Sequence, residues 1–344
     1  MMKVNPEPAV WFPTINAGTG TDVFTRRLVD GLRRSNIRAE ITWLPHRAEY
    51  LPWSVNIPPI PTWVNAVHVN TWLHRRFLPK NLPVTVTSHL CVHDPALRPY
   101  KRISQYLYHR FWIKRVERSV LAQATCAVAV SHYTAQQTQR MFGRSNFHII
   151  YNGVDTRRYK PIFRENPNQQ FRLLFVGTLS RRKGAELLPL IMNKLGKNFA
   201  LQCIGFPEAG FSIGPLPENM TILGYVNNED KLVGLMQSAD ALLFPTRLEG
   251  LPLTVLEAQA CGLPVIATGS SSLPEIVENG GTGFLCPEND IFAFACAAEQ
   301  LANDVELWRN LCREAAQRTQ RRFSLEVMVQ RYVEIYKAAI ATSL

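Results

Sequence analysis

The chain has 344 residues, 46% of them apolar and 19% charged, which allows two globular domains and excludes a disordered polymer. No apolar run approaches the roughly eighteen residues of a membrane-spanning helix. The net charge of +11 lies entirely in the first half: residues 1–150 carry 19 Lys/Arg against 7 Asp/Glu, the rest 19 against 20.

In chain order, Met1–Thr14 lacks a charged start followed by an apolar core, so no secretory leader is read and a cytoplasmic location is expected. Ala9–Pro13 reads as a strand, Asn16–Thr21 as a glycine loop, and Asp22–Arg34 as a helix with Val23, Leu28, Val29 and Leu32 on one side. Arg38–Leu44, Val64–Val69 and Pro83–Ser88 follow as strands, the last with the β-branched run Val84–Thr87. A long helix is predicted over Ile103–Ala122, a strand over Ala127–Val130, and a helix opening near Ser131. The second half repeats the rhythm. Arg172–Val176, Ala200–Ile204, Met220–Leu223, Ala241–Phe244 and Pro264–Ala267 read as strands, and Ala185–Leu195 as a helix.

Strand, helix and strand in alternation mean parallel β-α-β units. The expected fold class is therefore α/β, with two doubly wound Rossmann-like domains. The polar, proline-containing stretch Tyr151–Pro167 marks the boundary, giving domains over 1–155 and 156–324. The amphipathic tail, 325–344, is expected to pack back on the first domain. The cysteines (91, 126, 203, 261, 286, 296 and 312) include no Cys-x-x-Cys pair, so they read as buried free thiols and not as a metal site or disulfide framework.

Ligands of such sheets bind beyond the carboxyl ends of the strands. The stretch Phe244–Pro264 (FPTRLEGLPLTVLEAQACGLP) lies there. Glu249 falls in a loop and Glu257 eight residues on, inside a helix that starts near Pro252 and stops at Gly262. The helix N-terminus offers unpaired amides and a positive dipole end, a natural phosphate site. Carboxylates on either side of it can accept hydrogen bonds from sugar hydroxyls. Taken alone, Glu257 reads equally as a residue pairing on the helix surface.

Further motifs follow a family order. This block resembles the E-x7-E signature of the retaining GT4 family of glycosyltransferases (glycosyl transferases group 1), which have the GT-B fold. Phe175–Gly184 (FVGTLSRRKG), Tyr151–Asp155 (YNGVD), Ala239–Pro245 (ADALLFP) and Leu273–Val277 with Gly281–Leu285 are similar to its other motifs. The resemblance covers residues 125–290 closely and the first 125 more loosely. It implies two domains facing across a cleft and a donor that is a UDP- or GDP-sugar, with neither cofactor nor metal. Glu257 would hold the ribose hydroxyls and Glu249 the transferred sugar. The amides of Leu253 and Thr254 would face the diphosphate, with Gly177, Gly250 and Leu251 lining it. Lys183 would neutralise the leaving diphosphate. Where the family has an arginine, this chain has Thr178; Arg181 or Arg182 is the alternative source of charge.

In the first half, the Gly18–Thr21 loop lacks the third glycine of a dinucleotide fingerprint, so it does not read as NAD-binding. The resemblance places Gly18 and Gly20 beside the donor phosphate. It also places His89, at the end of the fourth predicted strand, close to the reacting sugar carbon; His93-Asp94 is the alternative. His89, Lys183 and Glu249 are thus the expected catalytic group. Tyr100–Arg118 mixes aromatic and basic residues and reads either as a helix lying on an anionic bilayer or as a core helix with a wet basic side. The implied acceptor is a glycan or lipid-linked glycan in surface polysaccharide or lipopolysaccharide synthesis. Two other readings are a GT-B sugar-nucleotide epimerase and a basic nucleic-acid-binding protein, though neither zinc-finger spacing nor an RNA-binding aromatic signature is present.

Overall fold

A computed structural model describes residues 7–343; the first six residues, on which the reading of the N-terminus partly rests, lie outside that range. Contacts divide the chain into two units. Residues up to Gly153 join the segment from Leu325 onward, and Val154–Ser324 form the second unit.

The first unit is a parallel six-stranded sheet with strands β1 (Ala9–Ile15), β2 (Arg38–Leu44), β3 (Ala66–Asn70), β4 (Val84–Ser88), β5 (Cys126–Ala129) and β6 (Phe147–Ile149). Their spatial order is β2-β1-β3-β4-β5-β6. Helices α1 (Gly20–Arg34), α2 (Ile103–Tyr108), α3 (Lys114–Gln123) and α4 (His132–Phe142) cover it. The opening of α4 follows the sequence closely. The Ser131 hydroxyl accepts from the Thr134 amide, and Gly143 ends the helix in the left-handed conformation.

The helix expected over Ile103–Ala122 is not uniform. A π turn, His109–Ile113, joins α2 to α3. The extra residue in that turn rotates the flanking faces, so α3 buries Val116, Val120 and Leu121 while α2 buries nothing. Strand β6 was absent from the sequence reading; its three residues alternate between half-buried and exposed and carry no apolar run.

The second unit is also a parallel six-stranded sheet: β7 (Phe171–Val176), β8 (Phe199–Ile204), β9 (Met220–Gly224), β10 (Ala241–Phe244), β11 (Val265–Thr268) and β12 (Gly283–Cys286). The order is β12-β11-β10-β7-β8-β9. Strands β10 and β11 are buried throughout and lack alternation, as expected of central parallel strands. Helices α5 (Leu188–Leu195), α6 (Glu229–Ser238), α7 (Leu253–Ala260), α8 (Leu273–Ile276), α9 (Ile291–Asn303) and α10 (Val305–Arg322) complete it. Among the cysteines, Cys296 is exposed and Cys126 half-buried, contrary to the expectation of uniform burial. The other five are buried, and burial pushes the thiols of Cys91, Cys203, Cys261, Cys286 and Cys312 up to about 12. Those five are poor nucleophiles.

Helix α11 (Leu325–Ser343) belongs to the first unit. It buries Leu325, Met328, Val329, Tyr332, Ile335, Tyr336, Ala339 and Ile340, the spacing of one helical face. Val329 lies where a Cβ on Gly31 of α1 would sit, so a glycine there lets the two helices approach closely. Two tyrosines of α11 reach a buried polar chain in the sheet. His68 Nδ1 lies 2.5 Å from the Tyr336 hydroxyl and its Nε2 3.0 Å from Thr87 Oγ1, which is 3.0 Å from the Tyr332 hydroxyl. Burial drives the His68 pKa down to about 3, so the ring remains neutral at physiological pH. Tyr336→Phe leaves His68 Nδ1 buried without that partner. It should cost about 1–3 kcal/mol, read as a lower urea midpoint for unfolding of the first unit.

Candidate active site

In the second unit the chain order reverses between β7 and β10, which are hydrogen-bonded neighbours. The loops leaving these two strands therefore meet at a topological switch point, the usual ligand position in an open parallel sheet. The first loop runs from Gly177 to Gly184, the second from Pro245 to Pro252.

Glycines hold them at close range. Gly184 has φ +68°, and a Cβ built on it would lie 2.1 Å from the Pro245 carbonyl oxygen. Only a residue without a side chain fits there. Beside it, the Arg247 amide donates to the Arg182 carbonyl at 3.0 Å. The Arg247 guanidinium donates to the Arg181 carbonyl and pairs with Glu186 at 2.8 Å. At the base of the first loop, Gly177 donates to Ile204 at 2.9 Å, and a Cβ on Gly205 would lie 2.1 Å from the Gly177 carbonyl oxygen.

This bracing brings three of the predicted residues together. Glu249 Oε1 accepts from Lys183 Nζ at 2.6 Å, from Arg182 at 3.2 Å and from the Thr246 hydroxyl at 2.9 Å. Arg182 also donates to the Leu248 carbonyl at 2.8 Å. The Glu249 backbone is fixed at both ends: its amide donates to Ser271 Oγ at 3.1 Å, and its carbonyl accepts from Ser272 Oγ at 3.2 Å. Thr178, where the family has arginine, is exposed, and so is Arg181; Arg182 is the cation beside Lys183. Sequence reasoning missed Thr246, Arg247, Ser271 and Ser272. The first two lie inside the motif block, but nothing in their spacing distinguishes a brace from a surface residue.

Helix α7 begins immediately after, with Pro252 at its cap position and no side chain capping it. The amides of Leu253 and Thr254 fall in its first turn, where helical amides have no intrahelical acceptor. Gly250 and Leu251 are buried between Glu249 and this turn. Glu257 lies one turn further in and is buried. Two cations against the Glu249 carboxylate, next to an uncapped helix N-terminus, form a place suited to a diphosphate.

The charges are tuned by burial. Loss of solvent pulls the Lys183 ammonium below its ordinary value and the Arg182 charge adds to this, with Glu249 opposing. For Glu249, burial raises the carboxyl, but Lys183 and Arg182, with hydrogen bonds from Lys183 and Thr246, outweigh it and hold the group below the usual carboxylate range.

In the first unit the order reverses between β1 and β3. The loop after β1 carries Gly18, at φ +68°, and Gly20, which opens α1; a Cβ on either would meet open space. Asp22 Oδ2 accepts from the amides of Ala17 at 3.0 Å and Gly18 at 2.6 Å, folding the loop onto α1. His89 follows β4 directly. Its ring meets Phe24 edge-on at 4.6 Å, and its Nε2 is buried without a hydrogen-bond partner. Burial lowers its pKa to about 4, so a neutral imidazole is present at pH 7. His93 differs. Its Nε2 lies 2.8 Å from Glu117 Oε2, while Thr71 donates to Glu117 Oε1 at 2.8 Å. Asp94 accepts from the Ala96 amide at 2.9 Å and from the Tyr133 hydroxyl. Of the two candidate histidines, His89 has the unoccupied nitrogen.

The Lys183–Glu249 pair makes a pH prediction. Glu249→Gln removes the charge that opposes desolvation, so the Lys183 pKa should fall further. In a ¹⁵N NMR titration the Lys183 ammonium should lose its proton at a lower pH in the variant than in the parent chain; an unchanged midpoint contradicts the coupling.

Residues 170–304 match the family described as glycosyl transferases group 1, and residues 21–158 match Glycosyltransferase Family 4. The chain is 27% identical over 234 residues to the N-acetyl-alpha-D-glucosaminyl L-malate synthase of Bacillus anthracis, covering 63% of this chain and 60% of that protein. It is 27% identical over 217 residues to the capsular polysaccharide biosynthesis glycosyltransferase CapM of Staphylococcus aureus, covering 59% and 55%. The matches thus span less than two thirds of either relative. Among solved structures, Anabaena HepE in complex with UDP-glucose superimposes with a TM-score of 0.71 at 16% identity, over 95% of this chain and 99% of that one, which shows a shared fold. Two parallel Rossmann-like units and a family match to each half lead to one assignment: the chain belongs to the GT4 family of glycosyltransferases and has the GT-B fold.

Proposed function

We propose that this protein is a retaining glycosyltransferase that takes a sugar from a nucleotide-sugar donor. The observation that carries this reading is the cluster at the second unit's switch point: Lys183 and Arg182 on Glu249, against the uncapped start of α7. A nucleoside diphosphate matches it in charge, and Glu257, one turn along α7, stands ready for ribose hydroxyls. A structural relative with UDP-glucose bound supports a UDP-sugar as the first donor to test.

In the proposed reaction the bond from the anomeric carbon to the diphosphate oxygen breaks. The acceptor oxygen bonds to the same face of that carbon, and its proton passes to the departing phosphate. Lys183 and Arg182 stabilise the charge that grows on the leaving group, which needs no proton transfer from the protein. Glu249 accepts hydrogen bonds from the transferred sugar's hydroxyls while opposing the loss of charge on Lys183, and neutral His89 is the first unit's candidate hydrogen-bonding group. Donor binding would redistribute the charges now neutralised within the cluster, so Lys183 should gain acidic neighbours and recover its proton affinity.

A surface of the first unit supports a lipid-linked acceptor at a membrane face. Ile103, Leu107 and Phe111 stand four residues apart, and Ile103 and Phe111 are 80% and 56% exposed. Arg102, Arg110, Arg115 and Arg118 are exposed along the same segment. Trp53, 66% exposed, stacks edge-on against Trp112, and Trp112 Nε1 donates to the Glu49 carbonyl at 2.7 Å, tying an apolar loop to the helix. Apolar side chains among arginines suit the interface of an anionic bilayer. Among the described residues no helix is long and apolar enough to cross a membrane. A surface glycan such as a capsular or lipopolysaccharide chain is the acceptor class consistent with this surface and with the capsular relative.

Four measurements test the reading. A thermal-shift panel of UDP-, GDP- and ADP-sugars should pick out one donor, since ligand at 100 times its Kd stabilises by about 2.7 kcal/mol. Lys183→Ala and Glu257→Ala should each weaken that donor at least about tenfold, whereas His89→Ala should lower kcat more than donor affinity. No turnover with any donor, together with tight oligonucleotide binding, would replace the transferase reading with the nucleic-acid one. Phe111→Asp should reduce sedimentation with phosphatidylglycerol vesicles at low salt; equal recovery of both proteins removes the membrane face.

A further inference from the structure

The first unit contains a cavity of about 200 Å³ that none of the donor roles uses. Its wall is cationic: Arg98, Lys101, Arg110 and Lys114 line it. Among the described residues, none of these four is ion-paired to a carboxylate. Arg98 and Arg110 lie over aromatic rings, Tyr106 at 5.6 Å and Phe111 at 5.9 Å, and Lys101 donates to the Val92 carbonyl. The one carboxylate in the wall, Asp94, accepts from the Ala96 amide and the Tyr133 hydroxyl, and its charge, with that of Glu117, also acts on Lys101. His93 is held by Glu117.

The second observation is His109. It also lines the cavity, is 6% exposed, and its Nδ1 is buried without a partner. Burial lowers its pKa to about 4, with Lys101 and His93 adding to the effect. The ring is therefore neutral and can present one N–H. It opens the π turn between α2 and α3, an irregularity that costs regular helical bonding and recurs at binding sites. Arg98 and Arg110 are exposed and Lys101 and Lys114 half-buried, so four like charges meet around one partly solvated cavity and repel each other. An unsatisfied buried nitrogen adds a desolvation cost. The repulsion is relieved by an anion with several acceptor oxygens.

We infer that this cavity recognises a phosphate or diphosphate ester, held by Arg98, Lys101, Arg110 and Lys114 and by a hydrogen bond from His109. Its volume suits a group of that size. Assigning the ester to the acceptor rests on the transferase reading; the anion site itself does not. A lipid-linked diphosphate and a soluble phosphorylated ligand offer the same chemistry, and the apolar stripe Ile103-Leu107-Phe111 on the same segment leaves room for either.

The test uses inorganic pyrophosphate as probe and the full chain carrying Lys183→Ala, so that the donor loop does not compete. Calorimetry should show binding to this chain, weakened at least about tenfold by adding Arg98→Gln and Lys114→Gln, as expected when two charge-assisted contacts are lost. His109→Phe should weaken it too, and the melting temperatures should stay level. UDP affinity of the chain with Arg98→Gln and Lys114→Gln alone should match the parent, so a failure of the donor site is read separately. Phosphatidylcholine vesicles carrying a polyprenyl diphosphate, compared with vesicles of matched phosphatidylglycerol charge, distinguish the sources. Preference for the diphosphate vesicles assigns a lipid-linked ester, and pyrophosphate binding without that preference assigns a soluble one. Pyrophosphate affinity unaffected by all three substitutions, or no binding at millimolar probe, overturns the inference.

Discussion

Everything at the second unit's site depends on one backbone contact, that of Gly184 with Pro245. A Cβ at Gly184 would stand 2.1 Å from the Pro245 carbonyl oxygen, well inside contact distance. Because the glycine has none, the loop after β7 lies directly against the loop after β10. The Arg182 carbonyl then reaches the Arg247 amide, and Lys183, one residue before the glycine, meets Glu249 four residues after the proline. The Lys-Gly ending of the first motif and the E-x7-E block are therefore one device. The lysine supplies charge, and the glycine decides where that charge stands.

That contact also explains the balance of charge. A buried lysine alone would shed its proton, and a buried glutamate alone would gain one. Sharing a single carboxylate oxygen among Lys183, Arg182 and Thr246 opposes both changes without a ligand. The arrangement sets two cations side by side on Glu249 at the cost of a local like-charge contact between Arg182 and Lys183. Thr178 fits the same logic: with Arg182 beside Lys183, the second cation comes from the far end of the loop.

The first unit is organised around a different anchor. Helix α11 returns to its sheet and seats Tyr332 and Tyr336 on the His68–Thr87 chain. His89, two residues after Thr87, has an Nε2 with no such partner and packs on Phe24 of α1. The same sheet thus contains one histidine fully used in holding the fold together and another whose nitrogen remains available. The π turn before α3 has a parallel consequence: it turns His109 into a cationic cavity and leaves Ile103, Leu107 and Phe111 facing outward.

Periodicity and turn residues alone determined most of the strands, the two-sheet plan and the position of Glu249 and Glu257 relative to α7. These are local features: short apolar runs, the Ser131 cap and the Pro252–Gly262 helix limits are set by neighbours within a few residues. The short strands β6 and β12 were passed over in the residue pattern, and each is a strand because a neighbour pairs with it. Residue order could nominate Lys183 and His89, with His93 as the alternative, but not show that His93 is occupied by Glu117, 24 residues away. Nor could it find Arg247 or Thr246 as braces, or show that Arg98, Lys101, His109 and Lys114 share one cavity. Those facts arise from distances between segments far apart in the chain, and such distances are decided only when the sheets and helices have packed.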